Sequence, residues 1–167
     1  MAATTPMTAA DEAIVEAQLG RPVRGVAGVA WRCRCGRPGV LATLPRLPDG
    51  TPFPTTYYLT DPRLVTGCSR LEAGGLMADL NVRLAEDAEL AQAYASAHES
   101  YLADRAKLGD VPEIATVSAG GMPNRVKCLH ALVAHSLAAG AGVNPIGDLV
   151  LVELDFHPEA ECGGAHA

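Results

Sequence analysis

The apolar positions of the chain repeat with two different periods, and the change from one to the other marks its elements. Ile14, Val15 and Leu19 recur at helical spacing behind Thr8 and Asp11, a capping-box variant, so a first helix is predicted over 9–19, ended by Gly20. From Val26 the texture shifts to Val26, Val29, Ala30 and Trp31, then a turn region over 33–39 punctuated by Gly36 and Pro38, then Val40, Leu41, Thr43 and Leu44. This reads as a β-hairpin. Four prolines and Asp49-Gly50 between 45 and 54 forbid regular pairing and predict an ordered loop, followed by a third strand over 55–60. Asp61 and Pro62 suit the N-cap and first position of a second helix running to 73.

After Gly74-Gly75, the stripe Leu76, Met77, Leu80 and Leu84 predicts a third helix. Asp87 restarts a longer one through Leu90, Tyr94, Ala97, Tyr101 and Leu108. A loop over 109–122 then leads into a strong helix over 124–139, closed by Gly140. The stretch 145–154 fits helix and strand equally. No internal repeat interrupts this order. The expectation is one α+β domain over 9–156, with a small three-stranded antiparallel sheet, a hairpin plus a third strand, packed by four to five helices. A flexible N-terminus, 1–8, and a disordered tail, 157–167, flank it.

Composition narrows the classes of function. At 167 residues, 49% hydrophobic and 19% charged, the chain can bury a sizeable core. A net charge of −6 argues against a nucleic-acid-binding protein whose whole surface is a basic footprint, and Lys107 and Lys127 are the only lysines. The first dozen residues carry neither a basic start nor an apolar run, so a cytoplasmic location is expected. The longest weakly polar stretch, 131–143, is too short for a membrane span. The five cysteines, Cys33, Cys35, Cys68, Cys128 and Cys162, form an odd, irregularly spaced set, for which reduced thiols are the default.

Six strings carry a family resemblance: Asp49-Gly-Thr-Pro-Phe-Pro54, Tyr57-Tyr-Leu-Thr60, Ser69-Arg-Leu-Glu72, Ala97-His-Glu-Ser-Tyr-Leu102, Gly120-Gly-Met-Pro-Asn-Arg-Val-Lys-Cys-Leu-His130 and Gly142-Val-Asn-Pro-Ile-Gly-Asp148. Over 19–148 the chain resembles the domain of unknown function 501 family, a bacterial and mainly actinobacterial group. The resemblance implies genes lying near those of a septum-formation initiator and an exopolyphosphatase-like phosphatase. It supplies no catalytic residue. Similar proteins carry a single cysteine at the hairpin turn, where this chain has Cys33-Arg-Cys35.

The strongest chemical signal in the residues themselves is the run from Ser118 to Lys127. Gly120 and Gly121 free backbone N–H groups to point inward, the expected helix start adds partial positive charge, and Arg125 and Lys127 add full charges. Ser118, Gly120, Gly121, Asn124, Arg125 and Lys127 are therefore candidate ligands of a small anionic or phosphorylated compound. The GxxxxGK[ST] pattern is absent, so nucleotide binding does not follow, and the competing reading is ordinary helix entry.

Cys128, His130 and His135 suggest a metal, but helical geometry disfavours it. At about 100° per residue His130 points roughly 160° away from Cys128, and His135 lies about 10 Å along the axis. The metal candidates Cys33, Cys128 and His135 would have to converge from separate segments. The same divergence weakens a Cys128 nucleophile with His130 as base. Cys33-Arg-Cys35 is one residue short of a zinc knuckle. Tyr94, His98, Tyr101 and Arg105 form a strip on one helix, making His98, like His130, a candidate proton-transfer residue. The competing reading is a core edge with Arg105 snorkelling to water. Glu72 and Asp79 read as solvated helix charges. Three functions follow in order: binding of an anionic ligand at 118–127, a non-catalytic partner in cell-division or envelope machinery, and a Cys/His metal protein. No cofactor is required by the sequence.

Overall fold

The computed structural model describes residues 4–160 and 162. The expectations for residues 1–3, 161 and 163–167 lie outside the described residues. Among these are six α-helices and three strands in the order α1 (Ala9–Leu19), β1 (Val26–Arg32), β2 (Pro38–Thr43), β3 (Tyr57–Leu59), α2 (Pro62–Ala73), α3 (Leu76–Glu86), α4 (Ala88–Ala106), α5 (Leu129–Ala139) and α6 (Pro145–Glu153). A 3-10 turn at Pro112–Ile114 interrupts the loop between α4 and α5.

The sheet is antiparallel with β2 in the middle, Val29 opposite Leu41 and Val40 opposite Leu59. Side chains alternate across a strand, and here both faces are covered, which explains why every residue of β2 is buried. Leu41 joins Val29 and Val15 of α1 on one face. Val40 and Ala42 join Tyr57, Leu59, Tyr94, Tyr101, Leu129 and Leu132 in the main core on the other. On the outer edge of β1, Thr5 exchanges both backbone hydrogen bonds with Val29, at 2.9 and 2.8 Å.

α1 begins as its sequence predicts, with Thr8 and Asp11 capping each other and Gly20 in the left-handed region beyond its end. α5 is buried without interruption from Ala131 to Ala138, as befits a helix apolar on every side, and it packs against the sheet, α2 and α6. The stretch that fitted helix and strand equally is α6, capped by the Asn144 side chain, which accepts from Gly147 N–H at 2.9 Å. Gly147 has no substitute, because a Cβ there would collide with the Leu132 carbonyl of α5.

One boundary moves, with consequences for chemistry. The helix expected from 124 starts at Leu129, and Cys128 is its N-cap in an extended conformation, φ −150° and ψ 111°. The preceding residues have better partners than a helix offers. The Asn81 side chain on α3 accepts from Val126 N–H at 2.8 Å and donates to Val126 C=O at 2.9 Å, as a neighbouring strand would. The Gly120 carbonyl takes the N–H groups of Lys127 and Cys128. Backbone groups satisfied in this way cannot also close the first helical turns.

Candidate functional site

Moving the helix start brings together residues that the sequence kept apart. Cys128 sits just before α5, His130 lies in its first turn, and Glu72 reaches them from the last turn of α2. Glu72 Oε1 accepts from Leu129 N–H at 2.7 Å and lies 3.1 Å from His130 Nδ1, so a carboxylate occupies the positive end of α5. Cys128 Sγ is 4.0 Å from the same Nδ1. The other ring nitrogen, Nε2, is 3.2 Å from the Val65 carbonyl and 3.3 Å from Ser69 Oγ.

This environment fixes the charge of the ring. Nδ1 faces a carboxylate and Nε2 a carbonyl, both acceptors, so the doubly protonated imidazolium satisfies both. Contact with Cys128, and then with Glu72, accordingly raises the His130 pKa to about 9 against the opposing effect of burial. Burial pushes the Cys128 thiol up, but the pull of the His130 ring and of the Ala131 amide outweighs it, and the thiol lies below its ordinary value. Cys128, His130 and Ala131 line a cavity of about 400 Å³ whose other walls include Leu19, Tyr57, Leu59 and Val65. The centre combines a thiol, an imidazole ring and a carboxylate at the edge of an apolar chamber. Glu72 Oε1, Cys128 Sγ and His130 Nδ1 also lie within 4.8 Å of one another, close enough to hold a metal ion together.

The other sequence candidates have different surroundings. Gly120 and Gly121 adopt φ of 69° and 93°, but the space above each is filled, by Leu132 over Gly120 and by the Arg125 carbonyl against Gly121. The loop turns a carbonyl rather than a ring of amides toward its interior, and the first amide of α5 is taken by Glu72. Asn124, Arg125 and Lys127 are exposed, whereas Ser118 is buried with its Oγ 2.9 Å from His98 Nδ1. His98 thus ties α4 to the following loop. Arg105 does not snorkel: it is 4% exposed and binds the carbonyls of Ile114, Val117 and Pro54. Apart from the short 3-10 turn, the α4–α5 loop has no regular structure, and its inward carbonyls at Ile114 and Val117 need a buried donor.

The three metal candidates do not converge. His135 is wholly buried, stacked on Tyr57 and bonded through Nδ1 to the Asn144 amide at 3.1 Å. Cys33 lies at the hairpin turn beside Arg63. Cys128 belongs to the centre at α5. Glu72 was missed because an acidic residue at a helix end needs no chemistry to explain it. The pairing of Cys128 with His130 is disfavoured only if both lie on the helix, and Cys128 precedes it. The alternation of Arg125, Val126, Lys127 and Cys128 between polar and apolar was the available signal for extended backbone there.

Three of the strings that carry the family resemblance meet at this centre: Tyr57 to Thr60, Ser69 to Glu72 and Gly120 to His130. A family model described as protein of unknown function (DUF501) matches residues 29–152, and the chain belongs to that family. No curated protein and no solved structure matches it.

Proposed function

We propose that this member of the family is an enzyme of covalent thiol chemistry, with Cys128 as nucleophile, His130 as its proton partner and Glu72 as the residue that positions and charges the imidazole. The observation that carries this reading is the placement of Sγ, Nδ1 and Oε1 around the N-terminus of α5, with Cys128 and His130 on the wall of the cavity. Such a pair supplies what a cysteine nucleophile needs: a nearby cation, a helix N-terminus and a third group orienting the base. At 4.0 Å the sulfur and Nδ1 are close enough for a modest side-chain rotation to bring them into direct proton exchange.

The apolar walls favour a substrate that carries an apolar acyl group in an ester or thioester linkage. The thiolate adds to the carbonyl carbon, forming a C–S bond. Collapse breaks the bond to the leaving group, which takes the proton from His130. Water then adds to the acyl-enzyme, giving a proton back to His130 and releasing the acid and the Cys128 thiolate. A phosphorylated ligand at 118–127 has less to rest on, since its glycines are packed over and only Arg125 and Lys127 offer charge to solvent.

A second reading has one specific observation in its favour. The three donors lie within 4.8 Å and Nε2 of His130 faces a carbonyl, the arrangement in which a histidine ligand is held for zinc. One experiment addresses both readings. The purified protein is assayed for bound metal, then treated with iodoacetamide at neutral pH while each cysteine is followed by peptide mass. The thiol reading expects Cys128 to react at least tenfold faster than free glutathione, and His130→Gln to abolish the advantage. Alkylation no faster than glutathione in the metal-free protein overturns it. One equivalent of metal lost in Cys128→Ser establishes the second reading instead.

A further inference from the structure

A second cysteine cluster lies on the far side of the hairpin. β1 ends at Arg32, and the turn closes with Cys33 N–H donating to the Arg37 carbonyl at 3.0 Å and Gly36 N–H to the Cys33 carbonyl at 2.8 Å. That turn sets Cys33 and Cys35 side by side. The sequence supplied no second pair to complete a zinc knuckle, but the C-terminal segment folds back and supplies a third thiol. Phe156 packs edge-on against Trp31, with ring centroids 6.1 Å apart, and beneath the Arg63 guanidinium. The Glu159 carbonyl accepts from Arg34 Nη1 at 3.2 Å. Cys162 follows, and its Sγ and those of Cys33 and Cys35 all lie within 4.8 Å of one another.

We propose that Cys33, Cys35 and Cys162 form a binding site for a thiophilic d¹⁰ metal ion, zinc in the first instance, that clasps the C-terminal segment onto the hairpin turn. Three sulfurs converging from two distant parts of the chain are a soft ligand set that excludes magnesium and calcium. Sulfurs about 2.3 Å from a tetrahedral ion stand about 3.8 Å apart, so the cluster closes onto zinc with small side-chain movements. Cys33 is 5% exposed and receives an N–H from Arg63 Nη2 at 3.6 Å, a donor suited to a metal-bound thiolate. Cys35 is exposed, so an ion can enter from solvent and keep a fourth position for water. The site shares no residue with the centre at α5.

The test is a titration of the full-length reduced protein with Cd²⁺, read by the ultraviolet charge-transfer absorption of cadmium thiolates, and with Zn²⁺, read by limited proteolysis of the C-terminal segment. The expected result is a band that saturates with metal, loses most of its intensity in Cys33→Ser and in Cys162→Ser, and survives in Cys128→Ser. Zinc is expected to protect the segment at least fivefold from cleavage, and Cys162→Ser to remove the protection. Cys162 lies beyond the last helix, so that variant leaves the core intact. A band lost only in Cys128→Ser, no band at all, or cleavage indifferent to zinc overturns the proposal.

Discussion

Acid should weaken this fold through one buried histidine, and the size of the effect follows from its surroundings. His135 has no exposed surface, is stacked on Tyr57 and meets Tyr101 edge-on, and its Nδ1 accepts from the Asn144 amide, which leaves the proton of the neutral ring on Nε2. Among the described residues no hydrogen-bond partner reaches Nε2, so a second proton on the ring would place a charge where nothing solvates it. Burial accordingly lowers its pKa to about 4. The unfolded chain titrates near the ordinary value of about 6.5. Between the two values the unfolded state binds the extra proton and the folded state refuses it, so stability is complete above about pH 6.5 and is lost as the pH falls toward 4. At 1.36 kcal/mol per unit the full loss is about 3.4 kcal/mol, of which about 2 kcal/mol has appeared by pH 5. His130 works the other way: its raised pKa gives stability that is complete below about 6.5 and is lost as the pH rises through 9. The comparison therefore needs a control that keeps His130. Urea unfolding at pH 7, 6 and 5 of the parent and of His135→Gln supplies it. The stability difference between them should move by about 2 kcal/mol in favour of the variant between pH 7 and 5. Parallel pH dependences, with the difference constant within about 0.5 kcal/mol, would refute the claim that the fold holds this ring neutral.

Glu72→Gln removes the anion from the start of α5, and about 1–2 kcal/mol of stability with it, measured by urea unfolding. Arg105→Leu strands the carbonyls of Ile114 and Val117 in the interior and should cost about 2–4 kcal/mol. Arg105→Lys should recover little of this, since one ammonium cannot match the guanidinium fork. Asn81→Ala frees both backbone groups of Val126, costs about 1–3 kcal/mol in the same assay, and lets 124–128 relax, so Cys128 alkylation should slow as well.

Most elements read from periodicity lie where it put them. Gly20 ends α1, Asp61 and Pro62 open α2, and the hairpin and third strand form the sheet. What periodicity does not carry is the partner of a backbone group. α5 begins five residues later than expected because Asn81, 45 residues away, pairs with Val126, and nothing near Val126 announces that. The catalytic reading depended on those residues. On a helix Cys128 and His130 diverge, whereas with Cys128 in extended backbone its sulfur turns back toward the ring. Arg105 follows the same rule: its partners are carbonyls of a loop whose path no pattern specifies.

The cysteines extend that argument, because composition makes them equivalent and their environments do not. Cys68 lies on α2, wholly buried, with its pKa pushed up to about 12 by burial and then by the negative charge of Glu72. It is close enough to the α5 centre to feel Glu72, yet among the described residues no cation acts on it, and it has no exposed surface. Its thiol can react only when the fold opens, so its alkylation should follow the global unfolding equilibrium, slowing about tenfold for each 1.4 kcal/mol of stability. Cys128 on the cavity wall needs no such opening, and its rate should be indifferent to modest stability changes. Raising urea in the pretransition range separates the two: Cys68 labelling should accelerate steeply, with the slope of global unfolding, while Cys128 labelling stays flat. If Cys128 accelerates in step with Cys68, its sulfur is reached only through unfolding, and the chamber at the start of α5 does not admit a substrate.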